Sequence, residues 1–478
     1  MSLDKEIAPN NVTEKVVPAH MCVGCGVCAG VCPVQALKMN MHYGKYTPSL
    51  IDSCLSNCRM CLDSCPFYDH DEDQDDIART IFKKECGQLH HTTLGYYLAC
   101  YIGYSRKHDH RAKGASGGMT TWLIETLLEM GDIDGVVTVR RNTTNHYKLF
   151  EMAILTNTEE VRNAASSYYY PVELAEPLHA ISTDKRDMRY AVVGVPCFLY
   201  GVRLAMEQNH QLNHRISFLF GLACGLYPSA HYTEVLSRWV GVFPSKVRTV
   251  GYRFKEKTST SIDFHFRAQH LNGRWSKPIG ALETFRYLWS RYYFAHNACL
   301  YCDDVFAETA DAVFMDAWLP EYLPETRGTS IVVVRNPKIR NILEEGNSKG
   351  SCELMTCPIE QVLASQESSI YQKREAVRKR IKVSSELGLW LPRMRIQPND
   401  HVTKDEHKDI LRMIRTVQAS QNVWPYLRWL PTPTLALFFW IVDTYAGGWR
   451  YATSITLTLI SRYLPKRLLS LLTWLKKR

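Results

Sequence analysis

Eight cysteines fall in two runs near the N-terminus, Cys22-x2-Cys25-x2-Cys28-x3-Cys32-Pro33 and Cys54-x3-Cys58-x2-Cys61-x3-Cys65-Pro66. Three thiolates on one tight loop can wrap a cubane iron–sulfur centre. A fourth Cys followed by a turn-forming Pro is aimed at the neighbouring centre. The spacing predicts two [4Fe–4S] clusters, one held by Cys22, Cys25, Cys28 and Cys65, the other by Cys54, Cys58, Cys61 and Cys32. Gly24, Gly26 and Ala29 are small enough to let backbone N–H groups approach the sulfurs. Zinc and disulfides are the alternatives. Zinc takes paired C-x2-C sites across a longer spacer, and two four-Cys runs each closed by Cys-Pro do not follow that pattern.

Four further cysteines carry weaker signals. Cys197 in GVPCF and Cys224 in GLACG each follow a strand-like run, and Cys299-x2-Cys302 has ligand spacing. Strand ends are where α/β proteins place their chemistry. Spacing alone leaves two readings open: a third cluster, or two buried strand-end cysteines beside a coincidental pair. Cys86, Cys100, Cys352 and Cys357 read as structural.

A second kind of chemistry is suggested by Arg111–Thr121, RAKGASGGMTT, just before a predicted helix. Gly117 and Gly118 would let the backbone approach a phosphate, and N–H groups at the helix start would attract the anion. Ser116 and Thr120 add hydroxyls, and Arg111 and Lys113 add charge. The stretch is neither a P-loop nor a dinucleotide GxGxxG. Clusters move single electrons whereas most organic substrates need two, and a flavin is the usual converter. Candidate acids and bases are Asp303, Asp304, Asp316, His296 and Lys255; each residue type serves more often as a cap, core or surface group than as a catalyst.

The elements that must hold these residues are legible in outline. Gly135–Val139, Tyr190–Gly194, Ile216–Leu222, Ala312–Met315 and Ile331–Val334 read as buried strands, and Thr120–Met130 and Tyr200–Gln208 as helices. The expectation is an α+β protein. It has a ferredoxin-like domain over 1–68, an α/β flavin-binding domain over 69–358 and a helical C-terminal extension over 359–478. Asp69–Asp76 (DHDEDQDD) reads as a solvated linker or helix start, and Tyr371–Lys382 as a basic helix with a solvated face.

Composition agrees with a large globular protein. The 478 residues are 46% hydrophobic and 22% charged, enough for a core without disulfides. The formal net charge of +9 is mild for this length and no nucleic-acid partner is expected. The first ten residues, MSLDKEIAPN, carry charge and no apolar run, against a secretory leader. The expectation is a cytoplasmic protein whose 16 cysteines stay reduced or ligate metal.

Taken in order, these pieces resemble the family of beta subunits of the hydrogenase that reduces coenzyme F420, a deazaflavin. That family extends to 7-hydroxymethyl chlorophyll a reductase and to bacterial members associated with polysaccharide biosynthesis. The resemblance rests on the twin cysteine runs, Arg111 with Ala115-Ser116-Gly117-Gly118, and Val192–Cys197 through Gly201. It continues with Gly221–Gly225, Cys299-x2-Cys302-Asp303, Ala310-Asp311, Asp316-Ala317-Trp318 and Gly328-Thr329-Ser330. It covers roughly residues 20 to 340. It implies FAD in the α/β domain with the Ser116–Gly118 turn near its phosphates. It also implies a third cluster, beside the flavin, on Cys197, Cys224, Cys299 and Cys302. Two departures stand out: Met315 replaces the family's usual Gly, and the segment from about Pro358 has no counterpart.

The resulting expectation is an iron–sulfur flavoprotein oxidoreductase. It would pass electrons from ferredoxin or a similar low-potential donor to an organic substrate. The alternative is an electron-transfer subunit that handles coenzyme F420 for a larger complex. A homo-oligomer is compatible with either. At the C-terminus, Ile455–Leu475 places Leu457, Ile460, Leu464, Leu468, Leu471, Leu472 and Leu475 at helical spacing. Arg462, Lys466, Arg467 and the terminal basic run lie opposite, and Trp440, Trp449, Tyr463 and Trp474 suit a headgroup zone. The pattern leaves two readings open: peripheral contact with the inner face of a membrane, or a helix packed on the chain's own domain or on a partner.

Overall fold

The scaffold of the protein is a mixed eight-stranded sheet. Its strands are β1 (Ala99–Ser105), β2 (Gly135–Arg141), β3 (Phe150–Leu155), β4 (Tyr190–Gly194), β5 (Ile216–Leu222), β6 (Ala312–Asp316), β7 (Ser330–Val334) and β8 (Cys352–Thr356). The order is β8-β1-β7-β6-β5-β4-β2-β3. The computed structural model describes residues 10–144, 148–255, 260–280, 285–430 and 434–448. The predicted tail helix 455–475 lies outside these residues.

Strands β2, β4, β5 and β6 run parallel, and β7 turns back against β6. All five residues of β4 and of β7 are buried. That is why runs such as YAVVG and SIVVV carry no polar alternation: both faces are covered. Since β1 is antiparallel to β7, it points the same way as β6. The C-terminal ends of β1, β4, β5 and β6 and the start of β7 therefore share one edge of the sheet. That is the edge where α/β folds bind ligands.

The five expected strands are present, three of them longer by one or two residues. The helix expected from Tyr200 begins at Pro196, whose fixed φ suits a first helical turn. Strands β1, β3 and β8 lay outside the sequence expectation. So did a small antiparallel sheet of Val247–Phe254, His265–His270 and Ile279–Gly280.

In the N-terminal segment a hairpin, Leu37–His42 with Lys45–Leu50, separates the two cysteine runs. Short helices Val27–Gly30 and Met60–Asp63 carry Cys28 and Cys61. The acidic run after them is not simply solvated. Asp73 caps the helix Gln74–Cys86 in a capping box with Asp76, Asp75 pairs with Arg395, and Asp69 accepts the Arg393 N–H.

From Ile359 to Gly447 the described chain is helical after β8, apart from connecting loops. Helix Lys404–Leu427 packs on Thr434–Gly447. Its Ser420 and Gln421 side chains bond the backbone of Phe294. The basic stretch Tyr371–Lys382 differs from its expectation, because Lys373 and Arg380 are buried. One apolar cluster joins Val12 in the N-terminal segment, Phe198 and Tyr293 in the middle, and Trp424 and Val442 near the end. Among the described residues no helix is long and apolar enough to cross a membrane.

Candidate iron–sulfur and anion-binding site

The twin cysteine runs fold around two separate cavities. Cys22, Cys25, Cys28 and Cys65 line the first, with Val12, Val16 and Phe67 closing it. Cys32, Cys54, Cys58 and Cys61 line the second. Each run sends its last cysteine to the other run's cavity, as the Cys-Pro spacing predicts. Gly24 and Gly26 hold φ at +72° and +80°, and a Cβ on Gly24 would meet the Tyr46 carbonyl oxygen at 2.4 Å. The tight turn lets the Gly24 amide donate to Cys22 Sγ at 3.3 Å, and Ala36 donates likewise to Cys32 at 3.3 Å.

The donor set fits a polynuclear centre. Among the described residues, no three His, Cys, Asp or Glu side chains converge as one metal ion requires. The thiols instead surround a cavity, as the corners of a cubane do. Burial pushes the Cys22 and Cys25 thiols up to about 11 and about 12. In such surroundings a thiolate persists when iron replaces its proton.

Cys197, Cys224, Cys299 and Cys302 also come together. Because β4 and β5 are adjacent and parallel, their C-terminal ends place Cys197 and Cys224 side by side. Cys299 lies in a short helical turn, Asn297–Leu300, close enough for its charge to act on both Cys197 and Cys224. Burial, reinforced by Cys302, Cys224 and Cys299, pushes the Cys197 thiol well above its ordinary value. The Tyr227 amide donates to Cys299 Sγ at 3.4 Å. Lys373, which no sequence signal singled out, donates its Nζ to Cys302 Sγ at 3.2 Å.

This third set neighbours the first. The charges that bear on Tyr227 include both Cys197 and Cys25, and those on Lys45 include both Cys299 and Cys22. The Tyr227 ring packs edge-on against Phe198 and stacks on His296 at 5.1 Å.

The glycine turn lies on the same sheet edge, where β7 begins. Its expected phosphate-facing groups are largely spent on building the loop. Ser116 Oγ donates to the Thr329 carbonyl at 2.6 Å, and the Gly117 amide donates to Ser330 Oγ at 3.0 Å. A Cβ on Gly117 would meet the Gly103 carbonyl oxygen at 2.6 Å, so close packing alone requires Gly there. Arg111 donates to the Gly328 carbonyl, and Lys113 pairs with Asp109. Gly118 and Thr120 stand at the start of helix Met119–Glu129, which no side chain caps.

Two cations from the small sheet complete this corner. Arg253 pairs with Asp316 and donates to the Ala115 carbonyl, and its buried Nε has no partner. Lys255 Nζ donates to the carbonyls of Arg111 and Ser116. Burial, aided by Arg253, lowers Lys255 to about 7. Uncapped amides, an orphaned guanidinium N–H and a desolvated ammonium suit an anion such as a phosphate. Sequence reading missed Arg253 because its strand carries no motif.

The other acid–base candidates have structural work. Asp303 pairs with Arg395, Asp304 accepts the amides of Phe306 and Glu308, and Asp316 is bound by Arg253. Burial lowers His296 to about 3, so its imidazole is neutral, with Nδ1 on the Tyr227 carbonyl. The leftover cysteines are buried: Cys352 and Cys357 belong to different core clusters, whereas Cys357 lies beside Cys100, its amide donating to the Cys100 carbonyl at 2.8 Å.

A ferredoxin-type cysteine segment joined to a sheet that presents four more cysteines and an anion corner at one edge marks an iron–sulfur protein of mixed α/β build. Residues 100–179 and 187–359, together more than half of the chain, match the N-terminal and C-terminal parts of "Coenzyme F420 hydrogenase/dehydrogenase, beta subunit". The chain belongs to that family. Residues 16–38 match a 4Fe-4S binding domain.

Among its relatives, one of the subunits of the F(420)H(2) dehydrogenase of Methanosarcina mazei is 25% identical over 238 residues, 48% of this chain and 60% of that protein. Coenzyme F420-dependent sulfite reductase of Methanocaldococcus jannaschii is 27% identical over 349 residues, 69% of this chain and 47% of that protein. The chain thus spans about half the length of the curated relatives it matches. A chain of the F420-reducing [NiFe] hydrogenase complex from Methanosarcina barkeri superposes with a TM-score of 0.46 at 17% identity, over 62% of this chain and 96% of that one.

Proposed function

We propose that the protein is an iron–sulfur flavoprotein oxidoreductase that exchanges electrons between a one-electron carrier and coenzyme F420. The observation that carries this reading is the adjacency of the first and third cysteine sets, on the sheet edge that also holds the anion corner. When bound, the clusters carry single electrons and the flavin couples them to two-electron chemistry. In this reading Cys22, Cys25, Cys28 and Cys65 hold one cluster, and Cys54, Cys58, Cys61 and Cys32 a second. Cys197, Cys224, Cys299 and Cys302 hold a third.

The anion corner receives the phosphates of FAD through the helix start at Gly118–Thr120, with Arg253 and Lys255 supplying positive charge. Ser116, Gly117 and Arg111 act one step back by shaping the loop. The carrier docks at the surface loop 51–59, where most residues are exposed and Cys54 and Cys58 are half-buried. Both relatives named above carry F420 in their names, which favours the deazaflavin as the two-electron partner. A larger complex that includes this chain is compatible with the relative described as part of a dehydrogenase.

A second reading keeps the same wiring but ends on an organic substrate, with ferredoxin as donor. The helical segment beyond residue 359, outside the matched family region, favours it as an addition to the matched family unit.

The test is to reduce anaerobically purified protein with reduced F420, reduced ferredoxin and NADH in turn and to follow flavin bleaching. Rapid bleaching by reduced F420 is expected. Bleaching by ferredoxin alone, followed by reoxidation with one compound from a cell extract, selects the second reading. Rapid bleaching by NADH, for which the chain has no dinucleotide fingerprint, overturns both.

A further inference from the structure

The helical run after residue 359 lies beyond the family match, yet it returns a cation to the third cysteine set. Glu367–Ile370 and Ala376–Glu386 are α-helical, and a π-helical turn, Tyr371–Glu375, is inserted between them. Such wide turns shift helix register locally and recur at functional sites. Here the turn carries Lys373 and Arg374 inward together. Lys373 is only 3% exposed. Its Nζ donates to Cys302 Sγ at 3.2 Å and to the Asp304 carbonyl oxygen at 2.7 Å.

A buried ammonium requires a compensating charge. Among the described residues no carboxylate forms a direct ion pair with Lys373, although Asp304 lies near enough for its charge to act on it. Asp304 is taken by the amides of Phe306 and Glu308. Glu308 is taken by Arg374 and Arg395, and Asp303 by Arg395. Of the groups in direct contact with Nζ, Cys302 Sγ is the one that can carry negative charge, so the cysteine set supplies the nearest counter-charge.

We propose that Lys373 sets the reduction potential of the cluster held by Cys197, Cys224, Cys299 and Cys302, by placing a fixed positive charge against Cys302. The proposal rests on that third cluster being present. Adding an electron adds negative charge to a largely buried site in which Cys299 is buried and Cys197, Cys224 and Cys302 are half-buried. A neighbouring ammonium stabilises the reduced form more than the oxidised one and raises the potential. Lys373 touches a ligand rather than the reacting atoms, so it is a tuning residue.

The experiment is an EPR-monitored redox titration of anaerobic wild-type, Lys373→Gln and Lys373→Arg protein, each with its iron counted. A Cys299→Ser variant identifies the third cluster's signal by its loss. In Lys373→Gln that signal should titrate at a more negative potential, with the other two clusters unmoved, and Lys373→Arg should restore most of the shift. An unmoved midpoint in fully loaded Lys373→Gln overturns the proposal. If Lys373→Gln loses the third cluster, Lys373→Arg decides. Retained iron with a near wild-type midpoint upholds the charge; loss of the cluster there too makes Lys373 an assembly residue and overturns the tuning role. Wild-type protein with iron for two clusters only would instead refute the third cluster, independently of Lys373.

Discussion

At the scale of single residues, the chemistry divides by how local each site is. The eight cysteines from Cys22 to Cys65, proposed as ligands, sit on short loops, so spacing along the chain carries their geometry. Cys197, Cys224, Cys299 and Cys302 depend on two strands lying side by side, which spacing does not report. Lys373 and Arg253 carry no sequence signal, because a lone basic residue in a helix or strand looks solvated until the packing is known. Lys255 illustrates what burial does to such a residue. Its ordinary value of 10.5 falls to about 7, chiefly by desolvation and then by Arg253. Between those values the unfolded chain binds a proton that the folded protein does not, so the folded protein gains stability as pH rises through this window. The destabilisation is fully present below about 7. An anion in the corner favours the protonated form and reverses the preference. If the anion is the flavin phosphate of the proposed function, affinity for the flavin should be highest on the acid side of 7 and weaken by about tenfold for each unit by which the anion lifts the Lys255 pKa. Lys255→Met should bind more weakly and lose the pH dependence. Fluorescence titration of flavin between about pH 6 and about pH 9 measures both; an unchanged slope in Lys255→Met would remove this residue from the corner.

At the scale of elements, legibility followed burial. Strands β2, β4, β5, β6 and β7 sit inside the sheet, and β4 and β7 read as unbroken apolar runs. Strands β3 and β8 are its edges. Their FEMAIL and CELMT mix charged and apolar residues because one side meets solvent, so they resemble amphipathic loop text. β1, ACYIGYS, is diluted by Gly103, which is required because a Cβ there would strike the Glu353 carbonyl oxygen at 1.8 Å. The segment after residue 359 was legible as helical in outline but not in its attachments. Arg395 is the main one: it binds Asp75, Asp303 and Glu308 at 2.6–2.8 Å. It thereby straps the segment to the loop after Cys302 and to the start of helix Gln74–Cys86. Burial alone would raise Glu308, but Arg395 and Arg374 outweigh it and hold the carboxyl at about 2. A carboxylate depressed in this way contributes stability above its ordinary value of 4.5, and that contribution is lost as pH falls toward 2. Arg395→Ala leaves Asp303 and Glu308 buried with their main partner gone, and should cost on the order of 3–5 kcal/mol. Calorimetry should find the midpoint lowered, and least so in acid, where Glu308 accepts a proton. A loss under about 1 kcal/mol, the range of surface pairs, would mean the strap is solvated.

At the scale of the whole molecule, the cysteine sets are arranged in a sequence. The set containing Cys54 and Cys58 lies under the exposed loop 51–59. The set containing Cys22 and Cys25 lies inside it and faces Tyr227. The set containing Cys197 and Cys224 lies beyond Tyr227 at the sheet edge. The end of β5, which leads into Cys224, and the start of β7, where the glycine turn packs, are two strands apart in the sheet, about 10 Å. One apolar cluster spans all of these segments, so the spacing between sites is held by a shared core rather than by linkers. In this arrangement the third set is the bridge between the ferredoxin-like segment and the anion corner. Cys299→Ser tests that position. In the proposed wiring Cys299 serves the third set only, so the substitution should leave the two N-terminal clusters and the proposed flavin in place. Stopped-flow mixing with a one-electron donor should then reduce those two clusters at the wild-type rate. Flavin bleaching in the same trace should become many-fold slower, because the intermediate stop is gone. Reduction from the flavin side by a two-electron donor should keep its wild-type rate, since that exchange occurs beyond the gap. Wild-type bleaching from the one-electron side would mean that electrons reach the anion corner by another route, and that the third cysteine set, however well placed, is not on the path.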